Sequence, residues 1–186
     1  MSGPAYRRIS EEQYLLELEA SDIPLEFIDG LIYPRAASSL RHCRINTNLL
    51  RVLLNATQDT QNWVYTNQMR LRLAPPQFHQ VMNYFPDIFV SSEESSLDAM
   101  FLSAPSVIVE ITSEETYRID TSWKAYVYRS IPSLQAYLMI DSESRAAELH
   151  RRTLNGWDVE VVQGSVSLPC VNISLSLAEV YDGVNL

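Results

Sequence analysis

Residues 106–112 read SVIVEIT, an apolar run interrupted only by Glu110. Such a run, rich in β-branched residues, predicts a strand buried inside a sheet. Residues 134–140 form a second apolar run, and between the two the pattern predicts a helix over 118–130. The centre of the fold is therefore expected to be a sheet with a helix packed on it.

Outward from this centre, paired turn residues separate short apolar runs. An Asp-Gly or Asn-Gly pair in that position indicates a β-hairpin. The predicted hairpins are 25–28 with 31–33 around Asp29-Gly30, and 146–151 with 157–162 around Asn155-Gly156.

Capping residues and apolar periodicity place the remaining elements. Ser10 and Gln13 form a capping box that starts a first helix, which stops before Pro24. Further elements are a helix over 40–57 capped by Ser38 or Ser39, strands at 62–65, 69–73 and 83–90, and a short last helix or turn at 175–181. In 69–73 the alternation predicts leucines inside and arginines outside. The fold class is α+β (mixed α/β), built on one sheet.

Composition indicates one globular domain spanning 1–186. Of the 186 residues, 46% are apolar and 20% are charged, and there are only five glycines. These values exclude a disordered chain and a collagen-like fibre. Cys43 and Cys170 stand in unrelated contexts, so a cytoplasmic setting is expected. The polar N-terminus and the lack of an 18-residue apolar stretch predict neither a signal peptide nor a membrane span.

Charge is distributed unevenly along the chain. The net charge is −9, but residues 30–86 hold six arginines and one acid, Asp59. That segment is therefore +5 inside an otherwise acidic protein. An acidic total argues against nucleic acid, whereas a basic segment is what phosphate contacts require.

Three acids interrupt apolar strands. Asp87 precedes Ile-Phe-Val, Glu110 lies within SVIVEIT, and Glu26 precedes the first hairpin turn. A buried carboxylate is costly unless it is paired or bound to metal. Asp87 and Glu110 on neighbouring strands would suit a hard divalent cation. Lys124, the only lysine, follows in the next helix.

Each of these residues also has a structural interpretation. Asp87 could bind local backbone N–H groups, and Glu110 could pair with Arg70 or Arg72. Glu26 could face water at a strand edge. Lys124 could be an exposed helix lysine supported by the acid four residues earlier.

Matches at several ordered places carry a resemblance to a known family. The sequence resembles the Uma-type family of restriction endonucleases, in the PD-(D/E)XK nuclease superfamily, over roughly residues 8–182. The matching stretches are LEFIDG (25–30), SSLRHCRI (38–45), PDIFV (86–90), VIVEITS (107–113), KAYVYRSIPSLQAYLMID (124–141) and SLSLAEVY (174–181). The resemblance implies a restriction-endonuclease-like fold, with a central mixed β-sheet flanked by helices.

The resemblance also implies a catalytic set of Asp87, Glu110, Lys124 and Glu26. Asp87 and Glu110 would hold Mg²⁺, with Mn²⁺ as a substitute. The lysine of the usual tripeptide would fall at Thr112, so Lys124 would supply it from the following helix. Where the family often has a strand acid, this chain has the amides Asn67 and Gln68.

The implied activity is Mg²⁺-dependent hydrolysis of DNA phosphodiester bonds, with a homodimer expected because two-fold symmetry presents two sites. The candidate substrate-binding residues are His42, Arg41, Arg44, Arg70, Arg72 and Tyr128. Two other interpretations stay open: a nuclease-fold module that binds nucleic acid or protein without cutting, and a hydrolase of another phosphate ester.

Overall fold

A computed structural model describes residues 8–35, 37–78, 80–113 and 120–186. The first seven residues, and residues 118–119 at the start of the predicted third helix, lie outside this description. The helices are α1 (Glu11–Glu19), α2 (Leu40–Thr57), α3 (Ala125–Arg129), which continues a π-helical turn (Asp120–Lys124), and α4 (Leu177–Val180).

The strands fall into three sheets within the described residues. Their bounds are β1 (Leu25–Ile28), β2 (Leu31–Pro34), β3 (Trp63–Thr66), β4 (Arg70–Leu73), β5 (Met82–Tyr84), β6 (Ile88–Ser91), β7 (Phe101–Leu102), β8 (Val107–Thr112), β9 (Ala136–Asp141), β10 (Ala147–Thr153), β11 (Gly156–Val162), β12 (Ser165–Leu168) and β13 (Ile173–Ser176). The sheet orders are β11-β10-β9-β8-β6-β3, β2-β1-β5-β4-β7 and β12-β13.

Local signals place the N-terminal third. The Ser10 hydroxyl accepts from the Gln13 backbone and the Gln13 side chain returns to Ser10, so the capping box starts α1 as predicted. Asp29 and Gly30 have φ values of 48° and 85°, the left-handed region that a tight hairpin turn requires. Ser39 caps α2, and its hydroxyl accepts from the His42 backbone.

The central β8 is the predicted buried strand. It pairs in parallel with β9 and antiparallel with β6, which makes the six-stranded sheet mixed. All six residues of β8 are buried. The expected α+β class with a central mixed sheet is therefore confirmed, and α2 and α3 contribute apolar residues to clusters on its opposite faces.

The prediction of a single sheet was wrong, because the segment 83–90 is not one strand. It divides into β5, in the five-stranded sheet, and β6, in the six-stranded sheet. Pro86 lies between them and has no N–H to donate to a ladder, so pairing is interrupted there. The chain crosses between sheets at Phe85-Pro86-Asp87, which leaves Asp87 immediately before β6.

The expectation that the arginines of β4 face outward was also wrong for Arg70. Arg70 is buried, and its guanidinium lies 5.4 Å from the Phe101 ring centroid of β7. The short β7 and the β12-β13 hairpin were not predicted. The connection between β12 and β13, residues 169–172, has no Asp-Gly or Asn-Gly pair that would have indicated a hairpin. Gly164 lies before β12, outside that connection.

No helix within the described part of the chain is long and apolar enough to cross a membrane.

Candidate functional site

The candidate site lies where β6 begins beside β8. Ile88 pairs with Val109 in the antiparallel register, so Asp87, the residue before β6, lies next to Glu110. The backbone N–H of Asp87 donates to Glu110 Oε2 at 3.3 Å, and the backbone N–H of Ile111 donates to Asp87 Oδ2 at 2.8 Å. Each carboxylate thus reaches across to the other strand.

Asp87 is held by the side chains of Arg35 and His42. Arg35 donates to Oδ1 at 2.7 Å, and His42 Nε2 lies 3.1 Å from Oδ2. Burial raises the pKa of Asp87, but the hydrogen bond and charge of His42, the charge of Arg35 and the Ile111 N–H outweigh it and lower the pKa overall. Asp87 is therefore a carboxylate at neutral pH although its side chain is only 3% exposed.

Arg35 was not among the predicted site residues. Its guanidinium also donates to the Phe85 carbonyl at 2.8 Å, which ties the end of the first hairpin to the crossing between sheets. Burial lowers the pKa of Arg35, but the charges of Asp87, Glu110 and Glu26 raise it overall. The available signal was its place in the basic segment directly after Pro34.

Glu110 is bound from the helical side. Lys124 Nζ donates to Glu110 Oε1 at 3.0 Å, and the Tyr128 hydroxyl donates to the same oxygen at 3.0 Å. Lys124 and Tyr128 stand four residues apart across the π-helical turn and α3, which aligns them on one face. Burial, followed by the Glu110 and Glu26 charges, raises the pKa of Tyr128 well above its usual value.

Glu26 completes the group from β1. Its Oε1 accepts from the Phe85 N–H at 3.3 Å and lies 3.8 Å from Lys124 Nζ. Lys124 therefore lies between Glu110 and Glu26, and its side chain is only 14% exposed. The structure brings together all four residues of the predicted catalytic set: Glu26, Asp87, Glu110 and Lys124.

The structural interpretations can be compared with these contacts. Asp87 does accept from a backbone N–H, that of Ile111, but it also binds Arg35. Glu110 pairs with Lys124, whereas Arg70 and Arg72 lie elsewhere. Glu26 is buried and does not face water, and Lys124 is not an exposed helix lysine.

The predicted substrate-binding arginines are not gathered at this site. Arg72 makes a bidentate pair with Glu11 at 2.7 and 2.8 Å, and both Arg70 and Arg72 lie over Phe101. Arg44 donates to the Gly183 carbonyl at 2.6 Å. Arg41 is exposed in the first turn of α2, next to His42. Of the basic segment, Arg35 and His42 are the residues that contact Asp87.

Two positions bear on the resemblance. Thr112, where the tripeptide lysine would fall, is buried, and its hydroxyl lies 3.4 Å from the Ile140 carbonyl. Asn67 and Gln68 lie in the turn between β3 and β4, which belong to different sheets. Lys124 therefore supplies the amine at Glu110.

In the described ranges, 8–35, 37–78, 80–113 and 120–186, no group of three or more His, Cys, Asp and Glu side chains is arranged to hold a metal ion. This finding bears differently on different metals. Structural zinc requires four protein ligands. Mg²⁺ is usually held by one or two carboxylates, with waters and substrate phosphates completing its shell.

Comparison with known proteins is consistent with this geometry. A sequence model of the Uma2 family, described as "Putative restriction endonuclease", matches residues 11–178. The uncharacterized protein sll1609 of Synechocystis sp. is 34% identical over 136 residues, which cover 72% of this chain and 75% of that protein. A second Synechocystis protein, slr1290, is 27% identical over 176 residues, covering 93% and 90%.

A solved structure shares the fold. The crystal structure of a protein from Anabaena variabilis, described as "a putative nuclease belonging to DUF820", superimposes with a TM-score of 0.74 at 19% identity. The match covers 94% of this chain and 98% of that one. This chain and the Anabaena protein therefore have the same fold, and at 19% identity the comparison shows the fold alone.

Proposed function

The chain belongs to the Uma2 family, and from that premise we propose that it is a Mg²⁺-dependent endonuclease that hydrolyses phosphodiester bonds of DNA. The observation that carries the proposal is the position of Lys124. Its amine is 3.0 Å from Glu110 and 3.8 Å from Glu26, and Glu110 in turn accepts from the Asp87 backbone. Carboxylates can hold a metal ion that activates water, and an amine beside them can offset phosphate charge, so the set is suited to phosphodiester hydrolysis.

The donor set fits a hard divalent cation. Asp87 and Glu110 offer carboxylate oxygens at adjacent strands, the ligand type that such a cation prefers. Three acids, Glu26, Asp87 and Glu110, lie beside two basic side chains, Arg35 and Lys124, when His42 is counted as neutral. This leaves a formal negative charge, which a divalent ion would offset. When bound, Mg²⁺ supplies polarisation of the phosphate and a more acidic water.

The protein's own residues have distinct tasks in this proposal. Asp87 and Glu110 hold the cation. Lys124 donates to a phosphate oxygen and offsets its charge, while Glu26 keeps the amine in place. Arg35 and His42 keep Asp87 ionised and oriented, and the Tyr128 hydroxyl orients Glu110.

One observation favours a second function. Both acids already have cationic partners from the chain itself, Arg35 on Asp87 and Lys124 on Glu110. Buried charges that are paired with one another do not need a metal ion to offset them. A nuclease-fold module that binds nucleic acid without cutting it would need no metal either.

Metal binding and cleavage separate the two functions. Calorimetric titration of Mg²⁺ and Mn²⁺ into the wild type should show binding that Glu110→Gln abolishes. Glu94→Gln, at an exposed acid of the 92–99 loop, is the matched control and should bind as the wild type does. Lack of binding by the folded wild type would sink the nuclease proposal and favour the binding module.

Cleavage is then measured on supercoiled plasmid and on circular single-stranded DNA. Lys124→Ala should lower the rate on the order of a hundredfold or more, by analogy with the loss of one charge-stabilising donor. Lys124→Arg, which keeps the charge, should retain more activity than Lys124→Ala. Equal rates for the wild type and Lys124→Ala would show that Lys124 does not act in cleavage. Sedimentation velocity of the same samples tests the expected homodimer.

A further inference from the structure

Three aromatic side chains form a surface cluster beside the candidate site. Phe78 lies 5.4 Å from Trp123 and 6.1 Å from Tyr126 between ring centroids, and Trp123 lies 6.5 Å from Tyr126. We name Phe78, Trp123 and Tyr126 the aromatic patch. Trp123 is 37% exposed and Tyr126 is 56% exposed. Phe78 is half-buried and packs against the core, whereas Trp123 and Tyr126 are exposed. Large aromatic side chains usually bury most of their area, so two exposed rings on a half-buried third indicate a binding surface.

The aromatic patch adjoins the candidate site through direct contacts. Trp123 immediately precedes Lys124, and its side chain lies close enough to the Tyr84 hydroxyl to oppose the rise in the Tyr84 pKa that burial causes. The Tyr84 ring lies 5.3 Å from the Tyr128 ring in an edge-to-face arrangement, and Tyr128 donates to Glu110. Trp123 and Lys124 are consecutive residues, so their Cα atoms are about 3.8 Å apart, which places the aromatic patch beside the helix turn that carries the amine.

A groove continues from the patch along α3. Its volume is about 440 Å³, within the range of sites that bind small groups. The lining mixes aromatic, hydroxyl, amide and guanidinium side chains, among them Tyr126, Trp157, Thr121, Ser122, Gln77 and Arg129. A nucleotide has a flat ring with polar edges and a linked phosphate. Aromatic side chains can contact the ring, hydroxyl and amide groups can bind its edges, and a guanidinium can bind the phosphate.

The small number of basic residues and the positions of Arg70 and Arg72 argue against binding to a duplex. Duplex binding without base contacts depends on a field of Lys and Arg, and this protein is −9 overall. Arg70 and Arg72, the pair that could have tracked a duplex backbone, pack on Phe101. Unpaired bases expose their ring faces and can stack on aromatic side chains whichever base is present. Bases inside a duplex are already stacked on one another.

We propose that the aromatic patch stacks unpaired nucleobases and so selects single-stranded nucleic acid, with the adjoining phosphate directed to Lys124. The inference rests on the proposed function in taking the carboxylate site as the place where phosphate is bound. It names the substrate class of that site as a single strand or an unpaired region. Trp123 is the central stacking residue, because it is both exposed and next to Lys124.

Binding is measured by fluorescence anisotropy with a labelled oligo(dT) strand and with the same strand in a blunt duplex, in EDTA so that no cleavage occurs. The wild type should bind the single strand more tightly. Trp123→Leu should weaken single-strand binding about tenfold or more, the loss expected for one stacked base. Trp123→Phe should restore most of the affinity, because it restores a ring face.

Trp63→Leu is the matched control. Trp63 is 66% exposed on β3, the edge strand of the six-stranded sheet, and its loss should leave both affinities unchanged. Tyr126→Ala provides a second variant of the patch in case Trp123→Leu lowers the melting temperature. Unchanged single-strand affinity in the folded patch variants, or equal losses for strand and duplex, would overturn the proposal.

The two proposals fail in different ways. If the wild type cuts plasmid DNA in Mg²⁺ and the patch variants cut single strands as fast as it does, the nuclease stands and base stacking fails. If the wild type binds no Mg²⁺ and cuts nothing while Trp123→Leu loses single-strand affinity, stacking stands and the nuclease fails.

Discussion

One face of the six-stranded sheet is covered by α2 and is aliphatic, whereas the opposite face carries tyrosines and Glu110 beneath α3. Val107, Val109 and Ile111 of β8 point into the cluster that also contains Ile45, Leu49 and Leu53 of α2. Ile108, between them, joins the other cluster with Tyr84, Tyr128 and Tyr137, and Glu110 follows on the same side.

The difference between the faces separates stability from chemistry. The aliphatic face gains free energy from burial alone. The other face buries hydroxyls and carboxylates, each of which is costly unless its partners are in place. We therefore expect substitutions on the aliphatic face to change stability first, and substitutions around Asp87 to change stability through charge.

The largest effect is expected from Leu138→Ala on β9. Leu138 is fully buried in the aliphatic cluster, between Val109 of β8 and Leu149 of β10. Removing it should lower the free energy of unfolding by about 2–5 kcal/mol, since a cavity remains. Urea denaturation measures the change. Leu54→Ala, at an exposed position of α2, is the control and should cost far less. A loss below about 1 kcal/mol at Leu138 would contradict the assigned role of this face.

A smaller effect is expected from Arg35→Gln on the polar side. It removes the charged donor from Asp87 Oδ1 and should cost about 1.5–3 kcal/mol at neutral pH. His42 and the Ile111 N–H remain on the other oxygen, which limits the loss.

This loss should depend on pH in a defined direction. The native pKa of Asp87 is lowered, so its contribution to stability is complete above the unfolded pKa of about 4 and is lost as pH falls through the native value. The difference between the wild type and Arg35→Gln should therefore shrink in acid. Guanidinium denaturation at neutral pH and below pH 4 measures it, and a difference that grows in acid would refute the pairing.

The smallest effect is expected from Arg72→Gln in the five-stranded sheet. Arg72 pairs with Glu11 at a partly exposed position, and such pairs contribute at most about 1 kcal/mol. The pairing also predicts that the salt dependence of DNA binding is unchanged in this variant. If the slope of log affinity against log salt concentration fell by about one in this variant, Arg72 would contact a phosphate and would be a substrate-binding residue.

Much of the fold could be predicted from short-range signals. The capping box at Ser10, the Asp29-Gly30 turn and the buried run 107–112 each specify an element from a few neighbouring residues. The segment 83–90 could not be divided in this way, because its residues favour a strand throughout. Only the pairing of β5 with β1 and β4, and of β6 with β3 and β8, reveals the crossing between sheets at Pro86.

The candidate site shows the same division. Glu26, Asp87 and Glu110 were identifiable because an acid in an apolar strand needs a partner. Arg35 was not, since nothing near it in the chain distinguishes it from the other five arginines of the basic segment. The aromatic patch was missed because Phe78 and Trp123 are 45 residues apart and meet only in space.

The sequence by itself determined which elements form and which residues carry charge into the interior, because hydrophobic periodicity, caps and turn residues act over a few positions. The tertiary structure alone decided the partners of each charge. Arg35 and His42 reach Asp87, and Lys124 and Tyr128 reach Glu110, across separations of 14 to 52 residues. Such contacts follow from strand register and helix packing, and those are set by the whole core.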